Sequence, residues 1–357
     1  MKSVSLLNIS KSHGDKKILD NLSLFIEAGG FFVLLGPSGC GKTTILRIIA
    51  GLEKPDSGKV LLGDEDITQQ PAYQRRVNTV FQQQGLFPHL TVFENIAYGL
   101  VVRGLPREAI YEKVERQIKI VNLLGLEKKY PETLSGGQLQ RVALARSLVM
   151  EPDVLLFDEP MSALDARLKE RMLIECLNLQ HALKTTFIYI THDRKEALMV
   201  ADEIAVMNFD GKVEQVAAPK QVYLRPRSRF VANFIGDVNI IAGVIKDLDQ
   251  STASLQTDIG NLSSMVDATS IVWSVGARIF ASIRPERIAL SYEELSGFGN
   301  KLKGHIESII FSGVFMRYMV ATSVGTTLLV FEDNFSFKVG DEVFVHFHND
   351  DVIMLES

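Results

Sequence analysis

The stretch Gly36-Pro37-Ser38-Gly39-Cys40-Gly41-Lys42-Thr43-Thr44 restricts this chain more than any other. It fits G-x-x-x-x-G-K-[ST], a loop built to hold phosphate. The apolar run Phe31-Phe32-Val33-Leu34-Leu35 leads in as a buried strand, and Thr44–Ala50 leads out as a helix. Glycines let backbone N–H groups turn inward around a polyphosphate where a Cβ would obstruct them. The helix N-terminus adds partial positive charge. Lys42 is placed to reach the outer phosphates, and the Thr43 hydroxyl suits Mg²⁺.

Around this loop the chain alternates short apolar runs with amphipathic ones. Ser3–Ile9, Ile18–Ile26, Lys59–Leu62 and Asn78–Phe81 read as strands. From Thr91 to Met150 the pattern turns helical, beginning at Thr91-x-x-Glu94, a capping box. Buried strands are then expected at Val154–Phe157, Thr186–Ile190 and Glu203–Asn208, with helices over Ala166–Leu183 and Lys195–Ala201. Continuous apolar strands alternating with helices imply an α/β domain with a largely parallel sheet. Near Gly236 the composition changes. Short alternating runs such as Arg278–Ile283, His305–Phe311, Met316–Ala321, Thr326–Phe331 and Glu342–Phe347 follow, punctuated by Gly, Asp and Asn. They predict a small β-barrel domain, so the expected division is 1–236 and 237–357.

Several function classes are excluded by bulk properties. A net charge of −5 gives the chain as a whole no electrostatic attraction for nucleic acid. Two cysteines, Cys40 and Cys176, cannot build a disulfide framework and read as reduced thiols in a cytosolic protein. The first residues carry charges without a sustained apolar core, so no secretory signal is expected there. No run approaches 18 uninterrupted apolar residues, and any membrane span must come from another chain.

Two further stretches bear on chemistry. Asp158 and Glu159 follow an apolar strand, at the end where an open α/β sheet binds nucleotides. Asp158 suits a Mg²⁺-holding acid, and Glu159 is placed to polarise water. The same pair would also serve to cap the next helix. Ser135-Gly136-Gly137-Gln138 reads as an S-x-x-Q capping box. Two glycines in a first helical turn cost roughly 1 kcal/mol each relative to alanine. They make sense where a ligand must approach the backbone closely, so this helix start is a second candidate anion site.

Leu134-Ser135-Gly136-Gly137-Gln138, followed by Gln140-Arg141-Val142-Ala143-Leu144-Ala145-Arg146, resembles the signature of ABC transporter ATPases. The remaining features of that family appear in order over about residues 1–236. They are the phosphate loop, a Q-loop glutamine at Gln82, Asp158 with Glu159, Ser162-Ala163-Leu164-Asp165 as the D-loop, and His192 as the switch histidine. The resemblance implies a helical subdomain at about 88–150 and a head-to-tail homodimer. In it each ATP lies between one copy's phosphate loop and the other copy's Ser135–Gln138. It further implies Glu159 as general base, His192 at the γ-phosphate, and Gln82 joining Mg²⁺ and water. ATP and Mg²⁺ are the implied cofactors. Two sequence positions depart from the family pattern: His13 stands where an aromatic ring usually stacks on adenine, and Leu139 where many relatives have Gln.

Leu86-Phe87-Pro88-His89-Leu90-Thr91-Val92 is similar to importer ATPases that carry a C-terminal regulatory OB-like barrel, as are Ile283-Arg284-Pro285-Glu286 and Val339-Gly340-Asp341-Glu342-Val343. Asp64–Thr68, Arg76–Gln82 and Phe234–Asn239 are most similar to ATPases of spermidine/putrescine importers, although sugar, ferric-iron and sulfate importers share the architecture. The implied partners are two transmembrane permease subunits and, indirectly, an extracytoplasmic solute-binding protein. The implied location is the cytoplasmic face of the inner membrane.

Overall fold

The computed structural model describes residues 1–81, 85–161, 165–266, 273–333 and 336–356. The chain forms two compact units, Met1–Pro219 and Lys220–Ser357.

In the first unit, β1 (Val4–His13), β2 (Lys16–Ile26), β3 (Phe31–Leu35), α1 (Lys42–Ala50), β4 (Ser57–Leu62), β5 (Glu65–Asp66) and β6 (Val77–Val80) come first. Three helices follow, α2 (Val92–Val102), α3 (Arg107–Ile120) and α4 (Gly136–Leu148). Then come β7 (Val154–Asp158), α5 (Ala166–Leu183), β8 (Thr186–Thr191), α6 (Arg194–Val200), β9 (Glu203–Met207) and β10 (Val213–Ala217). One sheet is antiparallel, in the order β2-β1-β4-β5. The other runs β10-β9-β3-β8-β7-β6, parallel throughout except where β10 meets β9.

Helix α1 lies in the core that joins these sheets, and all of its residues except Thr43 and Arg47 are buried. A helix this apolar on most of its surface has no stable place at a surface. Ile45, Leu46, Ile48 and Ile49 share one core with Leu6, Ile9, Leu24 and Ile26 of the antiparallel sheet and with Leu34, Leu156, Ile188 and Ile190 of the parallel one. Phe31, Phe157, Phe187 and Tyr189 form an aromatic cluster, with Phe31 and Phe187 edge-to-face at 5.6 Å. Such edge-to-face contacts are favoured by the ring quadrupoles.

The expected helical stretch contains α2, α3 and α4, with α2 packed on both others. The capping box forms as expected: Thr91 Oγ1 accepts from Glu94 N–H, and Glu94 Oε2 accepts from Thr91 N–H at 2.8 Å. Asn95 is fully buried one residue further on. It accepts from Phe87 N–H at 2.8 Å and donates to the carbonyls of Phe87, Leu90 and Thr91. That side chain holds the Phe87–Leu90 segment against α2.

The second unit opens with two short helices, α7 (Pro219–Leu224) and α8 (Arg229–Ile235). The strands follow: β11 (Asn239–Leu248), β12 (Thr252–Thr257), β13 (Gly260–Met265), β14 (Arg278–Ile283), β15 (Ala289–Ser291), β16 (Asn300–Phe311), β17 (Met316–Thr322), β18 (Thr327–Glu332), β19 (Glu342–Phe347) and β20 (Ile353–Glu356). They make two five-stranded antiparallel sheets, β13-β12-β11-β14-β20 and β15-β19-β16-β17-β18. Ile241, Leu255, Ile279 and Ile283 from one sheet and Tyr318, Val320, Val345 and Phe347 from the other fill one core.

Sequence alone draws the boundary at Gly236, whereas the compact units divide at Pro219/Lys220. Arg284 accounts for the difference. Buried just after β14, it donates to the carbonyls of Tyr223, Ala232 and Asp237, and its guanidinium lies 4.3 Å from the Tyr223 ring. One side chain thereby fastens both short helices to the all-β unit.

Candidate nucleotide site

Three neighbouring parallel strands deliver the site residues to one edge of the sheet. β3 ends at Leu35, β8 at Thr191 and β7 at Asp158, with Leu35 paired to Thr191 and Asp158 to Ile190. The phosphate loop, the Asp158-Glu159 pair and His192 therefore leave the carboxyl ends of adjacent strands, where open α/β sheets place ligands.

The loop from Gly36 to Gly41 closes tightly onto α1. A Cβ on Gly36 would stand 2.8 Å from the Met207 carbonyl oxygen. Gly41 is the N-cap of α1 with φ 102°, in the left-handed region, and a Cβ there would meet Leu19 Cδ2 at 2.9 Å. Having no side chain, Gly41 caps none of the N–H groups of the first turn, and that turn holds no acid. These donors and the helix dipole are left for an anion. Pro37, Ser38 and Gly39 form the outer part of the loop, with Ser38 and Gly39 exposed. Lys42 is buried and its ammonium donates to the carbonyls of Gly36 (2.8 Å) and Pro37 (2.7 Å). Its charge therefore sits inside the loop. Thr44 is buried in the first turn behind it.

Burial pushes the Cys40 thiol up, and Cys176 is pushed up to about 12 by the same cause.

Beside the loop, Thr43 Oγ1 donates to Asp158 Oδ1 at 3.2 Å. Burial raises the Asp158 pKa, the neighbouring Glu159 charge adds to this, and the Thr43 bond opposes it. A half-buried carboxylate next to a hydroxyl is an all-oxygen donor set of the kind Mg²⁺ takes, and a divalent charge would offset the desolvation. Among the described residues no group of three or more His, Cys, Asp or Glu side chains could hold a metal by itself. Phosphate oxygens and water would complete the shell of a Mg²⁺ ion, the usual arrangement for this cation.

Glu159 departs from the strand with φ 44°, a conformation that non-glycine residues adopt rarely and that clusters at functional sites. Its N–H donates to the Ile190 carbonyl at 3.2 Å. Its carboxylate oxygen Oε1 lies 3.1 Å from His192 Nδ1. The imidazole is half exposed and the carboxylate a quarter exposed, so the pair faces the solvent side of the strand ends.

Ser135 caps α4. Its Oγ accepts from Gln138 N–H, and Gln138 Oε1 accepts from Ser135 N–H at 3.0 Å. Ser135 and Gly136 are exposed, while Gly137 is buried against Leu168. Among the described residues the side-chain hydrogen bonds of Ser135 and Gln138 are to each other, and none reaches the phosphate loop. Asp165 caps α5 by accepting from Leu168 N–H at 3.0 Å. His13 ends β1 exposed, with Nε2 held 2.6 Å from Glu53 Oε1. Gln82 and the D-loop residues Ser162, Ala163 and Leu164 lie outside the described residues.

Other contributors are invisible in the motif pattern. Arg75 is buried, and its guanidinium donates to the carbonyls of Ile48 (2.7 Å), Ile49 (2.9 Å), Thr68 and Gln70. It thus closes the C-terminal end of the helix that opens at the phosphate loop, a favourable place for a cation. Arg75→Ala leaves several buried carbonyls unpaired, and each such group costs about 1–3 kcal/mol. A total loss of roughly 3 kcal/mol is expected, read as a fall in the denaturant midpoint. An unchanged midpoint would show that water or a repacked neighbour serves those carbonyls equally well. Gln140 on α4 is likewise buried and donates to the Pro160 carbonyl at 3.1 Å, joining the signature helix to the segment after Glu159.

The chain is similar to several known proteins. Residues 19–162 match the ABC transporter family and residues 281–355 the TOBE domain family. The chain is 44% identical over 335 residues to the spermidine/putrescine import ATP-binding protein PotA of Acidothermus cellulolyticus, covering 93% of this chain and 87% of that one. It is 40% identical over 360 residues to the protein of the same name from Clostridium acetobutylicum, covering 99% and 96%. With that of Vibrio cholerae it shares 42% over 331 residues, covering 92% and 86%. Among solved structures, cbiO1 from Clostridium perfringens, part of the ABC transporter complex cbiONQ, superposes with a TM-score of 0.58 at 30% identity. That match covers 61% of this chain and 89% of the other.

Proposed function

The chain belongs to the ABC transporter ATPases, and on that premise we propose that it energises a membrane importer of polyamines such as spermidine and putrescine. The observation that carries the ATPase part is the pair of contacts Thr43–Asp158 and Glu159–His192 at adjacent strand ends, beside a helix whose first turn is uncapped.

In this reading the α1 N–H groups and the Lys42 ammonium bind the phosphates of ATP. Thr43 and Asp158 hold Mg²⁺, which supplies charge neutralisation at the β- and γ-phosphates when bound. Glu159 takes a proton from the attacking water. The imidazole of His192 fixes the Glu159 carboxylate and stands ready for the γ-phosphate oxygens. Each group is a charge or donor set in place before negative charge spreads in the transition state. Gln82 joins this set from the Q-loop. His13 lies at the adenine position and offers a smaller stacking face than an aromatic residue would.

Ser135, Gly136, Gly137 and Gln138 complete the site of a second copy, since their own bonds do not turn to the phosphate loop of their own chain. Asp165 lies at the same dimer contact. Two such copies, head to tail, close on ATP and reopen after hydrolysis. Among the described residues no helix is long and apolar enough to cross a membrane. Two permease subunits therefore supply the span, an external solute-binding protein delivers the solute, and the chain works at the cytoplasmic face of the inner membrane.

The polyamine assignment is supported by similarity along nearly the whole chain, second unit included, to proteins named for spermidine and putrescine import. Uptake of labelled spermidine, maltose and ferric ion in cells lacking this chain is the test. Spermidine uptake alone is expected to fall and to return when the chain is resupplied. Loss of maltose or ferric uptake instead would move the assignment to that solute.

A further inference from the structure

A charged cluster centred on the buried Glu196 adjoins the residues beside His192, and the reading above leaves it unused. The Glu196 carboxylate on α6 is 4% exposed. Its Oε2 accepts from the Tyr189 hydroxyl at 2.9 Å and from Thr191 Oγ1 at 2.6 Å, and its Oε1 accepts from Lys169 Nζ at 2.8 Å. Thr191 Oγ1 in turn accepts from Asp193 N–H at 2.9 Å. Asp193 Oδ1 caps α6 through the N–H groups of Lys195 and Glu196, while its Oδ2 is 3.6 Å from Lys169 Nζ. The residues on both sides of His192 are thus tied into one network centred on Glu196.

Lys169 belongs to another element. It lies in the first turns of α5, and its backbone N–H donates to the carbonyl of Asp165, the helix cap. The network therefore runs from the cap of α5 to the loop that carries the histidine. A buried ion pair is weak support for stability, because desolvation offsets much of the attraction. What it supplies well is a fixed geometry, since both carboxylate oxygens of Glu196 are engaged and a shifted partner leaves a buried charge without its cation.

We propose that Glu196 and Lys169 are positioning residues that hold His192 against Glu159 and couple that histidine to the start of α5. This rests on the reading of His192 as a partner of Glu159 in ATP hydrolysis. If the pair loosens, the backbone at Thr191 and Asp193 loses its anchor and the imidazole drifts from the carboxylate. Nucleotide binding, which depends on the loop and α1, is unaffected.

The test compares full-length variants by ATP turnover, nucleotide affinity and thermal midpoint. Lys169→Met is expected to lower kcat about ten- to a hundredfold, the scale of a misplaced catalytic group. Nucleotide Kd is expected to stay within about twofold. Glu196→Gln keeps acceptors for Tyr189 and Thr191 but removes the charge that Lys169 meets, so it reproduces the effect with less risk to folding. Lys169→Arg restores the cation and is expected to recover most of the rate. The deciding measurement is His192→Ala alone and combined with Lys169→Met. If Lys169 acts through His192, the double variant is no slower than His192→Ala to within about twofold. Multiplied losses in the double variant, or wild-type kcat in both Lys169→Met and Glu196→Gln, would overturn the proposal. Wild-type turnover in His192→Ala itself would instead remove the role given to His192, and the proposal with it.

Discussion

Glu159→Gln is expected to bind ATP as tightly as the native chain and to hydrolyse it roughly 10²–10³-fold more slowly, the usual loss when one preorganised catalytic group is removed. The substitution keeps the size of the side chain and an oxygen in place of the one that lies 3.1 Å from His192 Nδ1. What disappears is a base able to take a proton from water. The groups read as gripping the phosphates, Lys42 and the uncapped first turn of α1, are untouched. Initial rates at saturating Mg-ATP and nucleotide Kd separate the two effects. Size-exclusion chromatography in ATP is expected to show the variant trapped as a dimer, because closure no longer ends in hydrolysis. Native turnover by Glu159→Gln would strip Glu159 of the role of general base.

Ser135→Arg is the second large effect, and it discriminates between a site held within one chain and one shared by two. Ser135 and Gly136 are exposed and, among the described residues, no hydrogen bond joins them to their own phosphate loop, so a bulky cation there leaves that loop intact. Nucleotide binding by the variant is expected to survive. Hydrolysis is expected to fall by about 10²-fold or more, since the reacting phosphate loses its positioned donors. Lys42→Ala fails in the opposite way, because it deletes the ammonium inside the loop while leaving α4 unchanged. Mixed together, the two defective chains can form heterodimers with one intact composite site, so partial turnover is expected to return. A mixture as inactive as its separate components would contradict the head-to-tail arrangement.

How much of this was legible before any coordinates depended on where each residue's partners lie in the chain. The loop at Gly36–Thr44, the Thr91 and Ser135 capping boxes and the acids after β7 are contiguous patterns, and their local geometry follows from residue types alone. Arg75 and Asn95 were not legible, and Arg284 was visible only as part of the Ile283–Glu286 motif without its role, because each acts on backbone carbonyls that carry no sequence signature. Glu196 escaped for a related reason. It looks like an ordinary first-turn acid of a short helix until Lys169 arrives from another element. The two helices before β11 have only six and seven residues, too few for periodicity to stand out, and the composition shift near Gly236 falls just after them. At His13 the sequence shows only a departure, a smaller ring where relatives stack an aromatic one on adenine. The structure adds Glu53, bonded to that ring at 2.6 Å, which an incoming base would meet together with the imidazole.

The burial of α1 has a mechanical consequence. The helix is packed by two sheets and clamped by Arg75 at its far end, so the phosphate loop stands on a foundation with no joint in it. Close-packed interiors transmit displacement and do not absorb it. A displacement of either sheet is therefore transmitted to the phosphate loop through α1. The loop is an anvil: stroke and recoil belong to whatever closes over it.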